Sequence, residues 1–357
     1  MKYEEIVRDK LNVIQQKLKS NQDILVLAIE SSCDETSIAV VKNGREVLSN
    51  EIASQIGIHT RFGGVVPEVA SRNHIMCINN VLEKSLQTAG VKLNDIDAIA
   101  VTYGAGLAGA LMVGVNFAKG LALSLGLPLV AVNHIKGHIS ANYIQNKTLE
   151  PPFICLVVSG GHTAILRVDD YLNHTLIGST LDDAIGEAFD KVARVVGLGY
   201  PGGPKIDKEA KKGSYNLHFT KKSDLDKTYD VSYSGLKTAV INYLHKQKQN
   251  GEQIKVEDVA CSFQHEAIDM LVEKTIRASK QYGIKTVALA GGVAANSYLR
   301  ETMEQACKKE GISLTYPSLI LCTDNAAMIG SAGYYYLING QSICFDLSIS
   351  PNPSLKL

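Results

Sequence analysis

Apolar positions recur with helical spacing at the start of the chain, at Tyr3, Val7, Leu11, Ile14 and Leu18, with charges between them. This period predicts a helix over residues 1–20 whose apolar face packs on the body of the protein. The pattern then changes to continuous apolar runs. Residues 24–29 read as a buried strand, 37–42 as its hairpin partner, and Asn43-Gly44 as a turn into a third strand over 46–54. A helix is predicted over 67–89 and a buried strand over 96–101. Tyr103-Gly104-Ala105-Gly106-Leu107-Ala108-Gly109 is a glycine-rich loop that opens a helix to residue 125. A strand over 127–132 then ends before His134. The order β-β-β-α-β-α-β is that of a ribonuclease-H-like lobe.

The opening hairpin has a second copy. Leu27-Ala28-Ile29-Glu30-Ser31-Ser32-Cys33-Asp34-Glu35-Thr36 and Leu156-Val157-Val158-Ser159-Gly160-Gly161-His162-Thr163 each run from an apolar strand through a tight small or polar turn to a Thr. Such turns expose backbone N–H groups that can cradle a phosphate. Two of them predict a nucleotide cleft between duplicated halves. The second copy begins near Pro151-Pro152 and is followed by a mostly helical insert over 180–280. A strand over 286–290 runs into Gly291-Gly292-Val293-Ala294-Ala295-Asn296 and a helix ending near 310. Cys322-Thr323-Asp324-Asn325 opens one more helix.

Size and composition narrow the class. A chain of 357 residues is too long for one ordinary core, so two lobes are expected. Hydrophobic residues make up 45% and charged residues 20%, the profile of a soluble globular protein. The 36 basic residues balance the 36 acidic ones, so RNA contact requires a local patch. The seven cysteines are scattered without a Cys-x-x-Cys, which argues against a disulfide framework or zinc ribbon and for a reducing cytoplasm. No apolar leader is visible at the N-terminus. The most apolar stretch, 106–132, is broken by Lys119 and reads as a buried helix and strand, with no membrane span.

Several residues could carry chemistry. His134 and His138 stand at i and i+4, on one face of a helix, and suit either one metal ion or a structural pair of histidines. The zincin reading is poorer, because Ile135 stands where a general-base Glu belongs. Asp324 could add an oxygen ligand to a site with open positions, but its place before a helix reads first as an N-cap. Ser159-Gly160-Gly161-His162-Thr163 and Gly291-Gly292 suit close backbone approach to a ligand, or plain turns and packing. Asp190 and Asp207 flank Gly197-Leu198-Gly199-Tyr200-Pro201-Gly202-Gly203-Pro204 and suit ribose hydroxyls or plain solvation. Lys205, Lys208, Lys211, Lys212, Lys221 and Lys222, with Tyr200 and Tyr215, form a basic run that reads as a solvated face before it reads as an RNA contact.

Taken as an ordered set, these segments resemble the universal tRNA threonylcarbamoyladenosine transferase family in its bacterial (TsaD-type) form, once called a glycoprotease. The carrying motifs are Glu30-Ser31-Ser32-Cys33-Asp34-Glu35-Thr36, Gly63-Gly64-Val65-Val66-Pro67-Glu68, the His134/His138 pair and Ser159-Gly160-Gly161-His162-Thr163. Gly186-Glu187-Ala188-Phe189-Asp190-Lys191, Tyr200-Pro201-Gly202-Gly203-Pro204, Gly291-Gly292-Val293-Ala294-Ala295-Asn296 and Cys322-Thr323-Asp324-Asn325 follow in family order over 24–338.

The resemblance implies an α/β, actin-like ATPase (ASKHA) fold with two duplicated ribonuclease-H-like lobes and a central cleft. On this reading 1–23 is an N-terminal helical extension, 24–133 plus 324–345 is lobe 1, and 134–323 is lobe 2. It also implies transfer of threonylcarbamoyl from threonylcarbamoyl-adenylate to N6 of adenosine 37 in tRNAs reading codons that begin with A, releasing AMP. His134, His138 and Asp324 would hold one divalent ion per subunit, Fe2+ or Zn2+. Val157, Val158, Ser159, Gly160 and Gly161 would lie against the donor, and Asp190, Gly203, Asp207 and Asn296 would bind its adenosine moiety. Asp34 or Glu35 would take or position the proton lost by the amine. Archaeal and eukaryotic relatives have Tyr at Val157 and Asn at His162, so water or donor would replace that Tyr as a ligand here. The implied partners are tRNA, a degenerate TsaB-type paralogue and a small TsaE-type P-loop ATPase, in the cytoplasm and without a membrane. A small-molecule kinase of the same fold is the alternative, and a non-catalytic scaffold a third reading.

Overall fold

The computed structural model describes residues 2–219 and 224–356. The chain divides into two compact units, Met1–Leu149 with Leu319–Leu357, and Glu150–Ser318. These limits fall at 149/150 and 318/319, where the resemblance implies 133/134 and 323/324.

The first unit opens with α1 (Tyr3–Lys19), whose Val7 and Ile14 are buried. It is tied down by Tyr3 Oη, which donates to Leu127 O at 2.7 Å, and by Lys17 Nζ, 2.5 Å from Asp97 Oδ1. β1 (Leu25–Glu30), β2 (Glu35–Lys42) and β3 (Glu46–Ser54) form an antiparallel meander. Its second turn places Asn43 and Gly44 at φ of 51° and 71°, the left-handed pair that an Asn-Gly hairpin turn requires. The short α2 (Ile56–His59) and the long α3 (Pro67–Ala89) follow, then β4 (Ala98–Gly104), α4 (Ala108–Leu125), β5 (Leu129–Asn133) and α5 (His134–Gln145). The sheet order is β3-β2-β1-β4-β5, with β1, β4 and β5 parallel.

Val26 to Ile29 and Ala98 to Val101 are wholly buried, so the two central strands must be covered on both faces. α4 packs on β4 and α3, and its buried residues include Ala110, Leu111, Val115, Ala118 and Ala122. It is long and apolar enough to cross a membrane by composition, and here it lays one face on β4 and α3.

The second unit carries β6 (Phe153–Val158), β7 (Thr163–Val168) and β8 (His174–Ser179), then α6 (Ile185–Val195), α7 (Gly202–Ala210), α8 (Ser234–Gln249) and α9 (Val256–Tyr282). β9 (Thr286–Ala290), α10 (Ser297–Glu310) and β10 (Ser313–Thr315) complete it. Its sheet order, β10-β9-β6-β7-β8, is the first unit's order strand for strand, with the same antiparallel meander and the same parallel half. The two copies of the hairpin are therefore the first two strands of two duplicated sheets, and α6 to α9 are the helical insert of the second.

The chain then returns to the first unit through α11 (Leu319–Cys322) and α12 (Ala326–Ile338). α12 packs on β1, β2, β4 and β5 and against α5. The α5–α12 approach is close: a Cβ at Gly137 would meet Ile329 Cδ1 at 2.6 Å. A larger residue at 137 must displace the end of the Ile329 side chain between the two helices.

Candidate metal centre and ligand cavity

Two groups of side chains can hold a ligand, one in each unit. The first lies where β5 passes into α5. Asn133 caps that helix, its Oδ1 accepting from Ile135 N at 2.8 Å and Lys136 N at 3.3 Å. The cap fixes His134 at the first helical position, and one turn on His138 lies on the same face, its ring centroid 4.6 Å from that of His134. Asp324 stands just before α12. The cap of α12 is its neighbour Asn325, whose Oδ1 accepts from Met328 N at 3.0 Å. Asp324 is thereby free to face the imidazoles, with Oδ1 3.4 Å from His134 Nε2 and 3.2 Å from His138 Nε2.

The donor atoms of His134, His138 and Asp324 all lie within 4.8 Å of one another. Both ring nitrogens of His138 are buried; Nδ1 has no hydrogen-bond partner, and Nε2 faces only the Asp324 carboxylate, without a well-formed hydrogen bond. A buried polar atom without a partner is costly, so this orphaned imidazole fits a ligand role. Two imidazoles and one carboxylate with open positions suit non-haem Fe2+ or catalytic Zn2+.

The electrostatics agree with that fit. Burial opposes a charge on His134, but Asp324 and Glu30 outweigh it and hold its pKa well above the ordinary imidazole value. Burial would raise Asp324, yet His134 and His138 pull its carboxyl well below the usual range. Burial lowers His138, which stays neutral. The site thus concentrates negative charge against one proton on His134, the charge distribution that a divalent cation satisfies better.

Glu30 is a participant that sequence reasoning missed. It is wholly buried at the end of β1, with Oε1 accepting from Ser32 N at 2.5 Å and Oε2 from Thr102 Oγ1 at 2.5 Å. Oε2 also lies 3.1 Å from His134 Nδ1. The available signal was a lone charge closing an otherwise apolar buried strand, because such a carboxylate demands partners.

Asp34 and Glu35 sit at the β1–β2 turn and the start of β2 in the same unit. Glu35 Oε1 accepts from Ser54 Oγ at 3.0 Å. Burial first, then the charges of Asp34 and Asp324, push the Glu35 carboxyl up to about 9, so at neutral pH it holds its proton.

The second group surrounds a cavity of about 420 Å³ in the second unit. Gly160, Asp190, Gly203, Asp207 and Asn296 all line it. Val157 and Val158 are wholly buried in β6, and neither they nor Ser159 or Gly161 line the cavity. Ser159 N donates to His162 O at 2.8 Å, closing the hairpin turn. Asp190 Oδ1 accepts from Gly202 N at 2.6 Å, and burial raises its carboxyl above the usual value. Asp207 Oδ1 accepts from Ser297 Oγ at 2.8 Å. Asn296 caps α10 through Leu299 N at 2.9 Å and donates to Gln264 Oε1 at 2.8 Å. Phe189, Lys208 and Lys211 add an apolar wall and two cations to the lining.

Of the basic run, Lys211 lies 3.6 Å from Asp207 and Lys212 2.7 Å from Glu209, so its charge is partly spent on acids of α7. Lys221 and Lys222 lie outside the described residues.

The model of the family TsaD, tRNA N6-adenosine threonylcarbamoyltransferase, matches residues 46–331. A tRNA N6-adenosine threonylcarbamoyltransferase from Clostridium perfringens is 59% identical over 334 residues, covering 93% of this chain and 98% of the relative. Among solved structures, HypF from T. kodakarensis aligns with a TM-score of 0.60 at 14% identity, over 89% of this chain and 48% of that one. Component A of (R)-2-hydroxyglutaryl-CoA dehydratase from Acidaminococcus fermentans aligns at 0.53 and 14% identity, over 88% and 98%. At such identities the structural likeness speaks for the fold, the actin-like α/β architecture with duplicated sheets. The sequence match over most of the chain goes further: this chain belongs to the TsaD family of tRNA N6-adenosine threonylcarbamoyltransferases.

Proposed function

We propose that this chain transfers the threonylcarbamoyl group of threonylcarbamoyl-adenylate to N6 of adenosine 37 in tRNAs that read codons beginning with A, releasing AMP. The observation that carries the reading is the His134–His138–Asp324 cluster in a chain of this family. A small-molecule kinase of the same fold has no use for two imidazoles and a carboxylate set around an open position.

The donor is a mixed anhydride, so its acyl carbon is already activated and no covalent enzyme intermediate is required. A bond forms between N6 and the acyl carbon, the bond from that carbon to the phosphate oxygen breaks, and AMP leaves with the electron pair. His134, His138 and Asp324 would hold one divalent ion, Fe2+ or Zn2+, which when bound supplies Lewis acidity toward oxygen atoms of the donor.

N6 must lose a proton. Glu35 already holds one at neutral pH and serves as a hydrogen-bond donor, so the role of proton acceptor falls to Asp34. The cavity of the second unit takes the adenosine moiety. Asp190 and Asp207 each keep acceptor capacity beyond the contacts to Gly202 and Ser297, which suits ribose hydroxyls. Gly160 and Gly203 leave open space where a Cβ would stand, so a ligand can approach their backbone. Phe189 offers an apolar wall to the base. Of the stretch Val157 to Gly161, only Gly160 in the turn after β6 reaches the cavity, with the buried Val157 and Val158 holding that turn in place. The chain works in the cytoplasm with a TsaB-type paralogue and a TsaE-type P-loop ATPase.

Nucleoside analysis tests the reading. tRNA is incubated with the protein, those partners and threonylcarbamoyl-adenylate, and wild type is compared with His134→Ala. Modified adenosine that is lost in the variant supports both the transfer and the metal centre. Modification that persists in the variant removes the metal centre from the mechanism. No modification by wild type, with the partners proven competent beside a known relative, overturns the reading.

A further inference from the structure

We infer that Glu30 is the positioning residue of the metal centre: its carboxylate fixes the proton of His134 on Nδ1 and so presents the Nε2 lone pair to the ion. The inference rests on the proposed metal role of His134, His138 and Asp324.

Three donors converge on this one side chain. Ser32 N reaches Oε1 at 2.5 Å, Thr102 Oγ1 reaches Oε2 at 2.5 Å, and His134 Nδ1 lies 3.1 Å from Oε2. Glu30 is fully buried, so no water competes for its oxygens. An ionised carboxylate only accepts hydrogen bonds. A lone pair on His134 Nδ1 would therefore face a lone pair on Oε2, whereas an N–H there makes a charge-assisted bond. Ser32 Oγ, 3.2 Å from the same nitrogen, can accept a share of that hydrogen. With Nδ1 protonated, Nε2 is the nitrogen left for a ligand, and it is Nε2 that faces Asp324 at 3.4 Å. The strand end thus acts on the metal at one remove. Orienting partners of this kind commonly change metal affinity about 10- to 100-fold.

Glu30→Gln separates this role from a structural one because it keeps the shape. If the Gln oxygen stays with Ser32 N, its NH2 group points at His134 and forces the imidazole proton onto Nε2, where the ion should bind. If it turns, the NH2 group meets the Ser32 N–H. Either arrangement works against metal binding.

The test measures Zn2+ affinity by chelator competition and the visible spectrum of the Co2+-loaded protein. Wild type, Glu30→Gln, Thr102→Val and His134→Ala are compared. Glu30→Gln is expected to bind Zn2+ about 10- to 100-fold more weakly, with a shifted Co2+ spectrum. Thr102→Val keeps the carboxylate and its contact to His134, and is expected to stay within about threefold of wild type, because the lost hydroxyl bonds Oε2 and does not touch the imidazole. Wild-type affinity in Glu30→Gln, while His134→Ala has lost the ion, overturns the inference and leaves the metal centre standing. Equal binding by wild type and His134→Ala fails the metal centre itself.

Should Glu30→Gln not fold, the tautomer is read directly in zinc-loaded wild type by 15N NMR of the histidines. A proton on Nδ1 of His134 sustains the inference, and a metal-bound Nδ1 refutes it.

Discussion

The half-buried acid Glu35 makes the sharpest test of the electrostatics. Its carboxyl is pushed up to about 9 from an ordinary value of 4.5, by burial and by the charges of Asp34 and Asp324. Below the ordinary value both folded and unfolded chains hold the proton, and Glu35 contributes no pH dependence. Above it the unfolded chain ionises while the folded chain does not, so stability falls as pH rises, until the folded group also ionises. The slope across that window is about 1.4 kcal/mol per pH unit for one group. Glu35→Gln has no proton to lose and keeps the neutral hydrogen-bonding shape.

The stability difference, variant minus wild type, should therefore grow by about 2.7 kcal/mol between pH 5.5 and 7.5. The assay is urea unfolding followed by far-UV circular dichroism, a natural probe for a chain with no Trp. It is run on chelator-treated protein, because a cation beside Asp324 offsets that carboxylate's part of the push on Glu35. Metal-loaded protein should show a shallower slope. A difference that does not change between the two pH values refutes the account, and shows that Glu35 is ionised in the folded state.

Other perturbations follow from the same geometry. A Cβ at Gly202 would lie 2.6 Å from Asp190 Cα and from Phe189 O, so Gly202→Ala should destabilise the protein by about 1–3 kcal/mol in thermal or urea unfolding. Gly203 has open space around it, so Gly203→Val should cost about 1 kcal/mol or less in stability, yet weaken AMP binding at least tenfold by calorimetry. Asn325→Ala removes the cap of α12 and should cost about 1 kcal/mol by urea unfolding, with weaker Zn2+ binding because Asp324 loses its anchored neighbour.

Much of the fold was legible because its signals are local. The residues predicted as a helix over 67–89 and as a strand over 286–290 form α3 and β9 with the same limits. Periodicity and a Pro at the first helical turn suffice for the former, and a short apolar run before Gly-Gly for the latter. The Asn43-Gly44 turn likewise states its own backbone geometry. The i, i+4 pair at His134 and His138 shares a helix face wherever that helix packs.

Asp324 was harder. Asp and Asn are both good caps, and two stand in succession at 324 and 325. Which one caps α12 depends on where that helix starts once it is laid against β1, β2, β4 and β5, and no local pattern contains that. The cavity posed the same difficulty: local pattern left Asp190 and Asp207 equally fit for ribose hydroxyls or plain solvation, and only the packing of α6 and α7 makes both line one cavity.

By itself, then, the sequence determined the elements, the duplication of the sheets and the residue types fit to bind a metal and a nucleotide, because periodicity, turn chemistry and side-chain donors are properties of neighbours along the chain. The tertiary structure alone decided that Asp324 faces the imidazoles while Asn325 caps, that Glu30 stands behind His134, and that Glu35 keeps its proton. Each of those outcomes depends on burial and on charges brought together across many residues of chain.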